Sequence, residues 1–166
     1  MSTHGVGFAP QPPRTSKEAN LKDFLFLLGS WLYAAATSKV MLLAIGGALG
    51  TNARYWAAKG IGEATWAKGF PLGTFVINVT GSFLLGVAAT IILTRLPPAH
   101  ESWYLFFCTG FCGGYTTFST FEWETFTLIR DNSLWLAFVN LAGSMAAGFV
   151  AVVAAVVLTT MLLPKQ

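Results

Sequence analysis

Charge is absent from long stretches of this chain. Residues 69–94, 102–121 and 132–164 contain no Asp, Glu, Lys or Arg, and each is long enough for the roughly 20 residues that cross a bilayer as a helix. A shorter neutral run, 40–53, ends at Arg54. It reaches spanning length by continuing to Ala58, provided the arginine faces protein or water rather than lipid. The pattern predicts an all-α membrane protein with four transmembrane helices, near 39–58, 69–94, 103–129 and 134–163. The third is predicted to break. Gly113-Gly114-Tyr115-Thr116-Thr117-Phe118-Ser119-Thr120-Phe121 sets two glycines and four serine or threonine hydroxyls in a pattern that suits a lipid-facing helix poorly. Glycine disfavours the helix interior, and hydroxyl side chains compete for its backbone bonds. Non-helical backbone persists at membrane depth only where protein covers it or where it lines a watery cavity. Interrupted spans of this kind commonly carry ion sites.

Composition agrees with this reading. The 166 residues are 54% hydrophobic and only 10% charged, against about 25% charged in an average soluble domain. Four spans leave little chain for a soluble domain, so residues 39–166 are read as one membrane domain and 1–38 as an N-terminal tail. The net charge of +3 is too small and dispersed to suggest nucleic acid, and basic residues beside spans are topological anchors. Cys108 and Cys112 share a helical face but are poorly aimed for a disulfide, and they read as small core residues. Residues 1–20, rich in Pro, Gly, Ser and Thr, read as a disordered tail. Phe24 to Ala36 is apolar but too short to span alone. An interfacial helix or an extension of the first span is favoured there, with a cleaved signal peptide as the alternative. Asp131-Asn132-Ser133 is expected to cap the fourth span. Gly46 with Gly50, and Ser144 with Gly148, have the small-xxx-small spacing that lets membrane helices approach closely. With the N-terminus inside, Lys39, Arg95 and Lys165 stand against Lys59, Lys68 and Arg130 outside. Three against three gives no orientation bias, which favours dual topology and antiparallel pairing. Counting Arg14, Lys17 and Lys22 would restore an N-inside bias.

Several short motifs recur together in one known family. Gly46-Gly47-Ala48-Leu49-Gly50 with Arg54-Tyr55, Gly73-Thr74-Phe75-Val76-Ile77-Asn78 with Gly81-Ser82-Phe83, and Gly113 to Phe121 with Glu124 resemble the Fluc (CrcB) family of fluoride channels over about residues 40–160. The resemblance implies an antiparallel, dual-topology homodimer of four-helix subunits, with the third helix broken at mid-membrane. It also implies two fluoride pores and a central structural sodium ion at the dimer interface. The backbone carbonyls of Gly113 and Thr116 would hold that Na+. By the same resemblance the anion pathway takes in Asn78, Thr74, Phe118, Phe121, Ser119, Thr120, Ser144 and Arg54. Asn140 stands where many members have tyrosine. A passive fluoride exporter in the inner membrane of a bacterial cell is the function so implied.

The residue types suit the task. Fluoride is small and strongly hydrated, so a pore must replace water with donors. The Asn78 amide offers two and each hydroxyl offers one. Phenylalanine contributes the electropositive edge of its ring, and Phe118 and Phe121, three apart, share a helical face. Phenylalanine in a membrane helix is more often packing, Asn78 could be only an interhelical hydrogen bond, and Arg54 could serve by snorkelling to the interface. Glu124, an acid beside an anion route, needs neutralising, and Arg130 or a partner subunit is a candidate for that. A small dual-topology multidrug transporter is the alternative function, but it requires a membrane-embedded carboxylate, and the first span has Arg54 instead. No His lies in a span and no nucleophile–base pair is apparent, which argues against an enzyme.

Overall fold

A computed structural model describes residues 16–36, 38–63, 69–97 and 101–163. Among the described residues all regular structure is helical, and the chain divides into two units, Met1–Thr37 and Ser38–Gln166. In the first unit α1 spans Ser16–Ala36, with Phe24, Phe26, Trp31 and Tyr33 all exposed. The expected irregular tail is therefore corrected over Ser16–Asn20. Lys17, Glu18 and Ala19 are strong helix formers and extend the apolar helix backwards. Residues 1–15 lie outside the described residues.

The second unit holds α2 (Lys39–Glu63), α3 (Leu72–Arg95), an interrupted third segment, and α7 (Leu134–Leu162). By length and composition α3 and α7 are each able to cross a membrane. Their ends have clear causes. Leu96, held extended at ψ 147° by the following Pro97, stops α3. The interrupted segment runs as α4 (Glu101–Tyr104), a π-helix (Leu105–Cys112), α5 (Gly113–Tyr115), two extended residues, and α6 (Phe118–Arg130). The π-helix has no counterpart in the sequence reading.

Asp131-Asn132-Ser133 caps the preceding helix rather than the following one. Ser133 makes no side-chain cap bond to α7. Instead Asn132 sits at φ 57°, the Ser133 N–H donates to the Leu128 carbonyl (2.8 Å), and the Asn132 N–H donates to that of Ile129 (3.1 Å). These are the paired bonds of a Schellman turn, in which asparagine tolerates the left-handed conformation.

The α3–α7 packing shows how the unit coheres. The buried positions of α7 are Ala137, Asn140, Ser144, Ala151, Ala155 and Thr159, recurring at helical spacing, while Phe138, Met145 and Phe149 are exposed. Small and polar residues inside with large apolar ones outside is the arrangement expected of helices packing within lipid. Cys108 and Cys112 are buried and unbridged, as the sequence suggested.

Candidate functional site

The break after α5 is built by an exchange of hydrogen-bond partners. Thr116 (φ −78°, ψ 159°) and Thr117 (φ −148°, ψ 109°) are extended. In a continuous helix the Thr117 N–H would donate to the Gly113 carbonyl and the Thr120 N–H to the Thr116 carbonyl. Here the Thr117 N–H donates to Asn78 Oδ1 (2.9 Å), and Asn78 Nδ2 donates back to the Thr117 carbonyl (3.2 Å). The Thr120 N–H donates to Thr117 Oγ1 (3.3 Å), which caps α6. The Thr117 hydroxyl in turn donates to Thr120 Oγ1 (2.8 Å). The Gly113 and Thr116 carbonyls thus both lose the donors that a helix would give them. They are the two carbonyls assigned above to a cation. Among the described residues no cluster of three or more His, Cys, Asp or Glu could hold a metal, so the oxygens available at the break are neutral ones.

Glycines allow the surrounding backbones to approach. A Cβ at Gly46 would run into the Phe106 carbonyl, and one at Gly50 into that of Phe111, with the Tyr115 nitrogen 2.9 Å away. The residues that meet Gly46 and Gly50 are Phe106, the adjacent Gly110 and Phe111, and Tyr115, so the contact returns after four to five positions, in keeping with the wider turn of a π-helix. At Gly81 a Cβ would meet the Thr116 methyl group and the Tyr115 ring, so α3 is glycine where the break lies against it. The Tyr115 hydroxyl lies 3.1 Å from Thr80 Oγ1, anchoring the other side.

Two cavities flank the break. One, of about 180 Å³, is lined by Asn78, Ser82, Thr116, Phe118, Phe121, Ser144 and Met145. The other, of about 280 Å³, is lined by Thr51, Arg54, Tyr55, Thr74, Thr117 and Thr120 among others. The expected pathway residues therefore fall into two groups, Asn78, Phe118, Phe121 and Ser144 in the first and Arg54, Thr74 and Thr120 in the second. Ser119 is exposed and lines neither. The two phenylalanine rings are 5.9 Å apart between centroids and tilted by 44°. Their environments differ: Phe121 is 4% exposed and Phe118 75%.

The family description "CrcB-like protein, Camphor Resistance (CrcB)" matches residues 41–156. The chain belongs to the CrcB family. Curated CrcB relatives include a "Fluoride-specific ion channel FluC" of Solibacter usitatus, 45% identical over 114 residues, which are 69% of this chain and 92% of the relative. Proteins of the same name from Pyrococcus horikoshii (44% identical over 102 residues, 61% and 80% covered) and Chlorobium luteolum (45% over 112 residues, 68% and 84%) are also similar. The CrcB match takes in every residue of both cavities, while α1 lies before it.

Within this CrcB chain three polar features escaped the sequence reading or were read differently. Asn140, fully buried, donates to Thr125 Oγ1 (2.8 Å) and accepts from Ser144 Oγ (3.3 Å). Thr125 Oγ1 donates onward to the Phe121 carbonyl (2.8 Å). Asn140 thus ties α7 to the backbone behind a cavity phenylalanine, and the signal available in the sequence was an amide within a neutral run of spanning length. Thr117 stood in the motif, but its capping role depends on where the helix resumes, which spacing does not give. Glu124 is not paired with Arg130, whose Nε donates to Asp131 (3.2 Å). Its Oε1 instead accepts from the Thr74 hydroxyl (2.8 Å), and its Oε2 is buried with no hydrogen-bond partner among the described residues.

Proposed function

We propose that this CrcB protein is a fluoride-selective channel, exporting fluoride passively across a bacterial inner membrane. The observation that carries the reading is the cavity beside the helix break. Its lining combines an amide (Asn78), three hydroxyls (Ser82, Thr116, Ser144) and two phenylalanines, with no charged side chain. The Thr116 and Ser144 hydroxyls give their protons to the Cys112 carbonyl and to Asn140 Oδ1, so the donors this surface offers in place of water are those of Asn78 and Ser82, together with ring edges. Without a full positive charge it does not hold the anion too deeply for conduction. The Asn78 amide gives one N–H to Thr117, and its inventory leaves a second for an ion. Similarity over 69% of this chain and 92% of a relative named as a fluoride channel supports the same conclusion.

The assembly we propose is an antiparallel, dual-topology homodimer of four-span subunits containing two pores and a central Na+. Balanced flanking charge supports dual topology. Two freed carbonyls per chain, at Gly113 and Thr116, would give four around a two-fold axis. When bound there, sodium supplies a fixed positive charge between the pores. The test is efflux from liposomes containing the purified protein, followed with fluoride and chloride electrodes in the presence of a potassium ionophore. Rapid fluoride release with chloride retained is expected. No fluoride release from folded protein would overturn the reading.

A further inference from the structure

We infer that Thr117 is a positioning residue for the cation site, acting with Asn78 to keep two backbone carbonyls out of the helix. The inference rests on the sodium assignment above and adds the device that makes the site available. An α-helix recaptures any carbonyl whose donor four residues on is free. At this break both donors are occupied. Asn78 Oδ1 holds the Thr117 N–H and Thr117 Oγ1 holds the Thr120 N–H. Thr117 is central to both exchanges, since its backbone is gripped by the Asn78 amide while its side chain caps α6. It is 9% exposed, so water is a poor substitute for either bond. Serine would preserve the exchange because it keeps the hydroxyl acceptor. Valine has threonine's shape but no acceptor, so the Thr120 N–H would return to the Thr116 carbonyl.

Sodium bound only to the folded protein raises its unfolding temperature. The test is therefore thermal unfolding of the purified full chain, followed by tryptophan fluorescence, in NaCl and in N-methyl-D-glucamine chloride of equal ionic strength. Wild-type protein and Thr117→Ser should unfold at a higher temperature in sodium. Thr117→Val should lose that difference, whatever its own baseline. A merely structural role would lower the baseline and leave the sodium-dependent difference intact, and that result would overturn the inference. If Thr117→Val does not fold, Asn78→Ala is the second probe. It frees the Thr117 N–H for the Gly113 carbonyl and should also abolish the difference; retention of it would overturn the inference. A wild-type channel that conducts fluoride but shows no sodium-dependent difference would remove the sodium site, and this inference with it, while leaving the fluoride reading in place.

Discussion

Gly50→Ala and Gly60→Ala make the same chemical change on α2, and they should move stability in opposite directions. A methyl group at Gly50 would lie 2.9 Å from both the Phe111 carbonyl carbon and the Tyr115 nitrogen, and nearer still to the Phe111 oxygen. Comfortable separations are about 3.5–4.0 Å, so the 2.9 Å pairs alone require α2 to retreat by roughly 0.5–1 Å and the Phe111 oxygen requires more, and a gap of about 0.5–1 Å already forfeits about a quarter to a half of each neighbouring contact. The atoms it meets are backbone and cannot rotate aside. Overpacking of this kind costs about 1–3 kcal/mol, equivalent to a roughly 5- to 150-fold fall in the folding equilibrium. At Gly60 an added methyl meets nothing within 4 Å, and replacing a helical glycine by alanine gains about 0.5–1 kcal/mol. Thermal unfolding of the three purified proteins in one detergent reads both effects. Fluoride efflux should fall in Gly50→Ala alone, because Tyr115 adjoins the break. A Gly50→Ala protein at least as stable as wild type, or a Gly60→Ala protein destabilised to the same extent, would refute the glycine-contact argument.

Other substitutions separate conduction from stability. Phe118→Ile should reduce fluoride flux in reconstituted protein while the assembly remains intact by gel filtration, since Phe118 is largely exposed and contributes an aromatic edge rather than core packing. Asn78→Asp should suppress flux at neutral pH, because a carboxylate repels the anion and has no N–H for the Thr117 carbonyl; wild-type flux would remove Asn78 from the pathway. Asn140→Ala should destabilise the fold by about 1–3 kcal/mol, measured by thermal unfolding, by removing the donor to the buried Thr125 hydroxyl and the acceptor of the buried Ser144 hydroxyl. Lys39→Gln should change stability by less than about 1 kcal/mol at any salt concentration, since the Lys39–Glu101 pair (3.1 Å) is solvent-exposed on both sides.

The spans were legible in the sequence because lipid tolerates few charges, so neutral runs of spanning length mark α3 and α7 directly. The helix break was legible for a related reason, since glycines and hydroxyls gathered in a neutral run of spanning length need a purpose. The identity of the bonds inside the break was not. Asn78 lies 39 positions from Thr117, and no local periodicity places a side chain on a backbone so far away. The same limit hid the Thr74–Glu124 contact and the Asn140–Thr125 link, both made between elements. The π-helix was hidden differently, because its spacing matters only against the glycines of α2. Asp131-Asn132-Ser133 was misread because asparagine is at home at either end of a helix, and only its positive φ decides which end it serves.

Breaking one segment into two helical pieces also creates two electrical poles at a single point. The segment ending at Tyr115 presents carbonyls, a partial charge of roughly −0.5, while α6 begins at Phe118 with N–H groups, roughly +0.5. The Gly113 carbonyl lies at the negative pole, and Phe118, which lines the cavity with Phe121, lies at the positive one. In the proposed channel, a gap of two residues would offer ions of opposite sign their preferred ends of the backbone. It would do so with peptide dipoles alone, which neither titrate nor need a buried counter-charge.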